Sequence, residues 1–157
     1  MDRIDREILT RLLREGRATY QELGREVRLS ANTVADRVRR LQKSGVVRGY
    51  HADLNLEALG RGMVLISDIR LREGVDRRAF EASLRDVPQA IGAMRLTGEY
   101  DYQLRVACAD VREFESVIDH LKADLGVREA RSRLLLREVP LSLDRILSER
   151  ALSLPEP

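Results

Sequence analysis

Side chains able to contact nucleic acid are concentrated between residues 30 and 43. Hydroxyl, amide, guanidinium and ammonium groups follow one another there at short spacing. Amides and hydroxyls can hydrogen-bond the edges of bases, and cations neutralise phosphates, so this mixture fits the recognition of a duplex. The candidate DNA-binding residues are Ser30, Asn32, Thr33, Arg37, Arg39, Arg40 and Lys43.

The order of these residues along the chain indicates which of them contact bases and which contact phosphates. Asn32 and Thr33 come first and are the best candidates for contacts with base edges. Arg37 and Arg40 could meet either bases or phosphates. Two cations of the set remain and fit contacts with phosphates better than contacts with bases: Arg39 and Lys43. We therefore expect base contacts at the start of the segment and electrostatic contacts along the rest of it.

A helix is predicted to carry these groups. Ser30 is a good N-cap, and Gly45 ends the periodic pattern. Val34, Val38 and Leu41 recur at i, i+4 and i+7, which makes one apolar stripe. If that stripe faces inward, most of the polar and basic side chains point outward, and Thr33 and Arg37 lie on the flanks.

A second helix precedes this one across a tight break. Thr19 and Glu22 form a T-x-x-E capping box, and Leu23 and Val27 fall on one face. Two short helices joined in this way are typical of a helix-turn-helix, whose second helix enters the major groove. An ordinary surface helix with a solvated arginine face is the alternative, and the two-helix pattern alone leaves both open.

A third helix at the start of the chain favours the DNA-binding interpretation. Asp2 can cap it, Ile4, Ile8 and Leu12 make its apolar stripe, and Gly16 stops it. Charge follows the same division, because residues 1–50 carry 12 Lys and Arg against 7 Asp and Glu, and the remainder carries 16 against 19. A net +5 half and a net −3 half suit one end that meets phosphates, although chance placement could also produce the difference.

The single cysteine, Cys108, excludes an intrachain disulfide and suits a reducing cytoplasm. Leu104 and Val106 share its strand parity, which predicts a buried thiol. The charged N-terminus does not resemble a signal peptide, and no apolar run approaches the ~20 residues that a membrane span needs. We expect a cytoplasmic protein with no membrane partner.

The second half of the chain alternates between strand and helix patterns. The predicted order is β-α-β-β-α-β, which is the ferredoxin-like arrangement of a four-stranded antiparallel sheet with two helices on one face. Strands are predicted at 63–72, 90–96, 101–107 and 127–139, and helices at 76–86 and 110–124.

The predicted fold is therefore α+β in two domains. An N-terminal helix-turn-helix head of winged-helix-like type occupies residues 1–45, a linker strand 46–61, and the ferredoxin-like domain 62–139. The tail at 140–157 could form a short helix over 142–150 that packs on a neighbour, or fray. A core of about 80 residues is marginal, so pairing through the sheet face or edge is favourable, and a dimer would place two heads on half-sites about one helical turn apart.

The layout resembles the Lrp/AsnC (leucine-responsive/asparagine-responsive) family of transcriptional regulators, from Asp2 to about Val139. Three segments carry the resemblance: DRIDREILTRLLREGR at the start, LSANTVADRVRRLQKSGVVRGYHADLN in the middle, and TGEYDYQLRV near residue 100. It implies a head that binds DNA and a C-terminal domain that forms dimers, often tetramers of dimers. It also implies that a small effector, usually an amino acid, binds between the C-terminal domains of neighbouring dimers.

The resemblance directs attention to the TGEYDY loop as an effector site. Gly98 allows positive φ, so backbone amides can turn toward a ligand carboxylate, and Asp101 offers a charge for an ammonium group. Alternatively, Gly98 serves a hairpin turn and Asp101 caps a backbone amide. The family often has two hydroxyl residues on the last strand, and here Ala130 lacks the hydroxyl that Ser132 keeps. The expected effector-binding residues are Thr97, Gly98, Glu99, Tyr100, Asp101 and Ser132.

Two other functions are alternatives to transcriptional regulation. Some relatives of this architecture are thought to decarboxylate tetrapyrroles, but His51 and His120 have no metal-ligand or triad companion at suitable spacing. An architectural DNA-binding protein without effector control is the second alternative, and Ala130 slightly favours it. We predict no catalytic residue, no metal ligand and no cofactor apart from an amino-acid effector.

Overall fold

The computed structural model describes residues 1–147, and these form two compact units. The first unit comprises Met1–Asp53 together with the segment that begins at Val139, and the second is Leu54–Glu138. None of the helices within the described residues is long and apolar enough to cross a membrane.

Within Met1–Asp53 the structure has three α-helices: α1 (Arg3–Arg14), α2 (Tyr20–Val27) and α3 (Ala31–Lys43). The predicted caps are confirmed, since Asp2, Thr19 and Ser30 each accept a hydrogen bond from the amide three residues later. The core consists of one apolar stripe from each helix, as the spacing predicts. Its fully buried members are Ile8, Leu23, Val34 and Val38.

The second unit contains strands β1 (Met63–Leu71), β2 (Ala90–Arg95), β3 (Tyr102–Cys108) and β4 (Val127–Leu134). Helix α4 (Arg77–Ser83) runs on into a 3-10 turn (Leu84–Asp86), and α5 (Val111–Ala123) follows β3. The sheet order is β2-β3-β1-β4, with every neighbouring pair antiparallel. The predicted βαββαβ fold is confirmed.

The core of this unit lies between one face of the sheet and the two helices. Ile69, Leu104 and Val106 from the central strands meet Phe80 of α4 and Leu121 of α5. Cys108 is fully buried beside them, and this burial raises the pKa of its thiol. The expectation of a buried structural cysteine is therefore met.

Three predicted boundaries need correction. No strand is formed at 46–61 within the described chain, where these residues pair with no other strand of the same chain. The last strand ends at Leu134 rather than 139, since the start of β1 at Met63 leaves it no partner beyond Leu135. In the tail a 3-10 helix spans Leu143–Leu147, and the rest of the predicted 142–150 helix lies outside the described residues.

Candidate functional site

The turn between α2 and α3 places the two helices very close together. A Cβ atom added to Gly24 would lie 2.6 Å from the carbonyl oxygen of Leu29, so only glycine allows this approach. Arg28, at the end of α2, adopts the left-handed conformation with φ 56°. The sequence pattern did not single out either residue, although a glycine within a short helix is a signal of close packing.

The start of α3 is exposed and has a local hydrogen-bond network of its own. Ser30 Oγ accepts a bond from the Thr33 amide at 3.2 Å, and the two hydroxyls share another at 2.8 Å. Asn32 is exposed beside them. Polar groups that can hydrogen-bond base edges therefore lie at the end of the helix that enters the groove in helix-turn-helix proteins.

No acidic residue occupies the first turn of α3, whereas Asp5 and Glu22 lie in the first turns of α1 and α2. A carboxylate there would offset the partial positive charge of the helix N-terminus. Its absence from α3 leaves this positive end available to an external anion such as a phosphate.

The exposed cations of α3 differ in their partners. Arg40 and Lys43 are exposed, and no ion pair engages them within residues 1–147. Arg39 forms an ion pair with Asp36 at 2.9 Å, but both side chains are about two-thirds exposed and the pair is weak. All three cations can therefore reach phosphates.

Arg37 differs from these cations because its partners lie within the head. One of its terminal nitrogens lies 2.6 Å from Asp2 and 2.8 Å from Asp5, and its side chain is only 17% exposed. The hydrogen bonds that the guanidinium donates to Asp2 and, next in importance, to Asp5 raise its pKa. The structure does not support the expected contact with bases or phosphates, because both carboxylates already compensate this charge.

The second candidate site is the loop between β2 and β3. Gly98 has φ 109°, as the predicted turn requires, and Thr97 and Glu99 are exposed beside it. Arg70 of β1 donates to the Glu99 carbonyl at 3.1 Å and to its carboxylate at 2.8 Å. The loop is thereby attached to the neighbouring strand through its backbone as well as its side chain.

Two guanidinium groups lie near the ring of Tyr100. Arg70 is 5.2 Å and Arg131 5.7 Å from the ring centroid, both within range of a cation–π interaction. The phenol also donates to Glu129 at 3.2 Å. The contacts of Arg70, Glu129 and Arg131 with Tyr100 were not predicted from the sequence, although alternation along β1 and β4 places the three residues on one face of the sheet.

Asp101 has both carboxylate oxygens engaged. One accepts from the Leu71 amide at 2.9 Å and the other from Arg77 at 3.1 Å. The Leu71 hydrogen bond is the main cause that lowers the pKa of this carboxyl, with Arg77 contributing. Of the two roles expected from the sequence, the structure has the cap of a backbone amide, and the carboxylate also accepts a hydrogen bond from Arg77.

Ser132 lies on the other face of the sheet from the Tyr100 contacts. Its hydroxyl shares a hydrogen bond of 2.8 Å with the buried hydroxyl of Ser67, directly opposite on β1. Ala130 packs against the core on that same face. Strand alternation turns the Ser132 side chain away from Glu129 and Arg131, so its hydroxyl lies on the core side of the sheet and not beside Tyr100.

A helix-turn-helix head with an exposed polar recognition helix, followed by a βαββαβ domain, defines a class of two-domain DNA-binding regulators. Residues 1–48 match the family model for winged helix-turn-helix DNA-binding domains, and residues 64–149 match the Lrp/AsnC ligand binding domain. The chain belongs to the Lrp/AsnC family of transcriptional regulators, which confirms the resemblance seen in the sequence.

Similar curated proteins carry regulatory names. A leucine-responsive regulatory protein from Rhizobium meliloti is 36% identical over 142 residues, covering 88% of this chain and 91% of that protein. The Bkd operon transcriptional regulator of Pseudomonas aeruginosa is 33% identical over 144 residues, covering 90% and 94%. A sequence related to these proteins over nearly its whole length is a DNA-binding transcriptional regulator.

Solved structures agree in fold. A transcriptional regulator from Neisseria meningitidis, determined as a complex with L-Met, superposes with a TM-score of 0.83 at 34% identity, covering 92% of this chain and 95% of that one. The leucine response regulatory protein of Mycobacterium tuberculosis gives 0.77 at 30% identity, covering 90% and 96%.

Proposed function

We propose that the exposed face of α3 recognises specific duplex sequences and that an amino acid bound at the TGEYDY loop alters that recognition. The observation that carries the DNA site is the combination of Arg40 and Lys43, which have no ion-pair partner within residues 1–147, with an acid-free N-terminus on the same helix. Such a face attracts phosphates without first breaking internal ion pairs.

The contacts divide by position on the helix. Asn32 and Thr33 are our candidates for base edges, with Ser30 at the helix N-terminus close to a phosphate. Arg39, Arg40 and Lys43 neutralise phosphates, and Arg40 lies near enough to the first turns to contact a base as well. Arg37 is left out of this set because of its bonds to α1.

Selection of duplexes from a random library by the full-length protein tests this proposal without knowledge of the operator. We expect a recurrent motif whose shuffled version binds at least tenfold more weakly, within the range of specific over non-specific binding. Asn32→Ala should relax the preference at one or two base positions. Equal binding to enriched and shuffled duplexes would instead favour an architectural DNA-binding protein.

The class of effector follows from the domain type and from the relative solved with L-Met. The exposed backbone of Thr97–Glu99 could receive a ligand carboxylate. The ring of Tyr100 could pack against the ligand, although Arg70 and Arg131 already lie within cation–π distance of it. Asp101 retains unused lone pairs, so an ammonium group could join the Leu71 amide and Arg77 there.

A thermal-shift screen against the twenty amino acids tests the effector proposal, because a ligand of the folded state raises the melting temperature. Asp101→Asn is the informative variant, since its amide oxygen can still accept from Leu71 while the charge is gone. We expect it to reduce the ligand-induced shift. The control is Asp119→Asn, which removes an exposed charge from α5 and should leave the shift unchanged.

We also propose that the protein acts as a dimer or a larger assembly, on DNA in the cytoplasm. The edge strands β2 and β4 have unpaired backbone groups, and Ile91, Met94 and Leu96 are exposed along and just after β2. Unpaired edges and exposed apolar side chains both favour association between copies. Sedimentation equilibrium of the full chain should give at least twice the monomer mass of 17.9 kDa.

A further inference from the structure

Arg37 is the most constrained cation on the recognition helix. A single terminal nitrogen contacts Asp2 and Asp5 of the α1 N-terminus, at 2.6 and 2.8 Å. Its Nε is buried and meets no hydrogen-bond acceptor within the described part of the chain. This side chain is therefore directed into the head by its acidic partners, and its own helix supplies neither of them.

The backbone at the start of α1 orients both carboxylates independently of Arg37. Asp2 uses one oxygen to accept the Asp5 amide at 2.8 Å, and Asp5 uses one oxygen to accept the Asp2 amide at 3.0 Å. This capping box starts α1. The other oxygen of each carboxylate binds Arg37. The guanidinium thus meets a rigid pair of acceptors whose orientation is set by α1.

The position of Arg37 within α3 connects this anchor to the DNA face. Thr33 is four residues before it and Arg40 three residues after it, so the three side chains are neighbours along one row of the helix. The apolar stripe at Val34 and Val38 determines which face of α3 packs inward, but it holds the helix by contacts that are not directional. Charge-assisted hydrogen bonds are directional.

We propose that Arg37 is a positioning residue for sequence recognition. It ties α3 to the Asp2–Asp5 pair and sets the rotation at which Thr33 and Arg40 meet the duplex, without itself contacting DNA. This inference rests on the proposed contact face of α3 and adds the element that orients it. Loss of the tie should reduce discrimination between sequences while leaving the attraction to phosphates intact.

The test measures the affinities of full-length variants for the enriched and shuffled duplexes across a salt titration. Arg37→Gln and Asp5→Asn should each weaken binding to the enriched duplex by about tenfold, in line with the loss of a charged hydrogen bond. Both should leave shuffled-duplex affinity within about twofold and the salt slope unchanged. The double variant should be no weaker than Arg37→Gln alone, because that change already removes the contacts with both carboxylates.

Arg40→Gln on the same helix is the matched control, and it should lower the salt slope by about 0.9. Arg37→Lys, which can reach one carboxylate, should recover part of the enriched-duplex affinity. If Arg37→Gln lowers the slope as Arg40→Gln does while Asp5→Asn binds at least as tightly as the wild type, Arg37 contacts phosphate and the inference is overturned.

The melting transition of Arg37→Gln, followed by circular dichroism, shows whether this variant folds. If it does not fold, the salt slopes of Arg37→Lys and Asp5→Asn are compared instead, and they distinguish a positioning role from a phosphate contact in the same way. Failure of the proposed DNA-recognition function would appear earlier, as a selection that yields no enriched duplex.

Discussion

The recognition helix and the TGEYDY loop differ in whether their polar side chains already have bonding partners. On α3, Arg40 and Lys43 are exposed with no ion-pair partner in residues 1–147. In the loop, Glu99, Tyr100 and Asp101 are all bonded to neighbouring elements of the same unit. The first surface is ready for a highly charged polymer, whereas the second already satisfies its own charges.

This difference predicts different binding behaviour at the two sites. Long-range attraction to phosphates needs no rearrangement of α3, so association with DNA should be fast and depend strongly on salt. A small ligand at the loop has to use backbone groups or share oxygens that already accept hydrogen bonds. Its affinity should therefore depend more on geometry than on salt.

The largest expected effect comes from Val38→Asp, which removes the support of the recognition helix. Val38 is fully buried in the head, and an unpaired carboxylate there should cost about 3–5 kcal/mol of folding free energy. We expect the melting transition of the head, followed by circular dichroism, to disappear together with DNA binding. Arg39→Asp on the exposed side is the control, and an unchanged transition in Val38→Asp would show that α3 is not packed through this stripe.

At the loop, Asp101→Ala should destabilise the protein even without ligand. It leaves the Leu71 amide without its acceptor, at a cost of about 1–3 kcal/mol. Urea unfolding measures this loss, and Asp101→Asn should recover most of it. Equal stability of the Ala variant and the wild type would mean that the carboxylate is free for ligand after all, which would remove the contrast with α3.

On the DNA side, Arg40→Ala should weaken binding to the enriched duplex by about tenfold and lower the salt slope by about one. Its folding free energy should stay close to wild type, because the Arg40 side chain is exposed on the surface of the helix. Fluorescence anisotropy over a salt series measures both quantities. Wild-type affinity across the whole series would eliminate the Arg40 contact.

The smallest expected effect is that of Ser132→Ala. The buried Ser67 hydroxyl loses its partner, which should cost about 1 kcal/mol, while any ligand-induced thermal shift should not change. Ser67→Ala paired with it in a double-mutant cycle isolates the interaction. A shift that vanishes in Ser132→Ala alone would return this hydroxyl to the effector site.

Features that depend on neighbouring residues could be predicted from the sequence. The caps at Asp2, Thr19 and Ser30 act over three residues, and the stripe of α3 repeats within two turns. The βαββαβ order followed from the same local periodicities. Each of these signals lies within one element, so no knowledge of distant partners was needed.

The partners of the site residues could not be predicted, because they come from other elements. Arg37 bonds to carboxylates 32 and 35 residues earlier, and Ser132 to a hydroxyl 65 residues earlier. Only the packing of α3 on α1 and the register of β4 against β1 bring these groups together. The linker strand predicted at 46–61 depends on a partner in the same way, since an extended sequence forms a strand only where a second strand is available.

One measurement tests both proposed sites: the ratio of affinities for the enriched and shuffled duplexes, with and without each of the twenty amino acids. We expect a ratio of at least about ten without ligand. We also expect that at least one amino acid changes the affinity for the enriched duplex, and that Asp101→Asn weakens this response. A ratio near one, unaffected by any amino acid, would contradict both proposed sites.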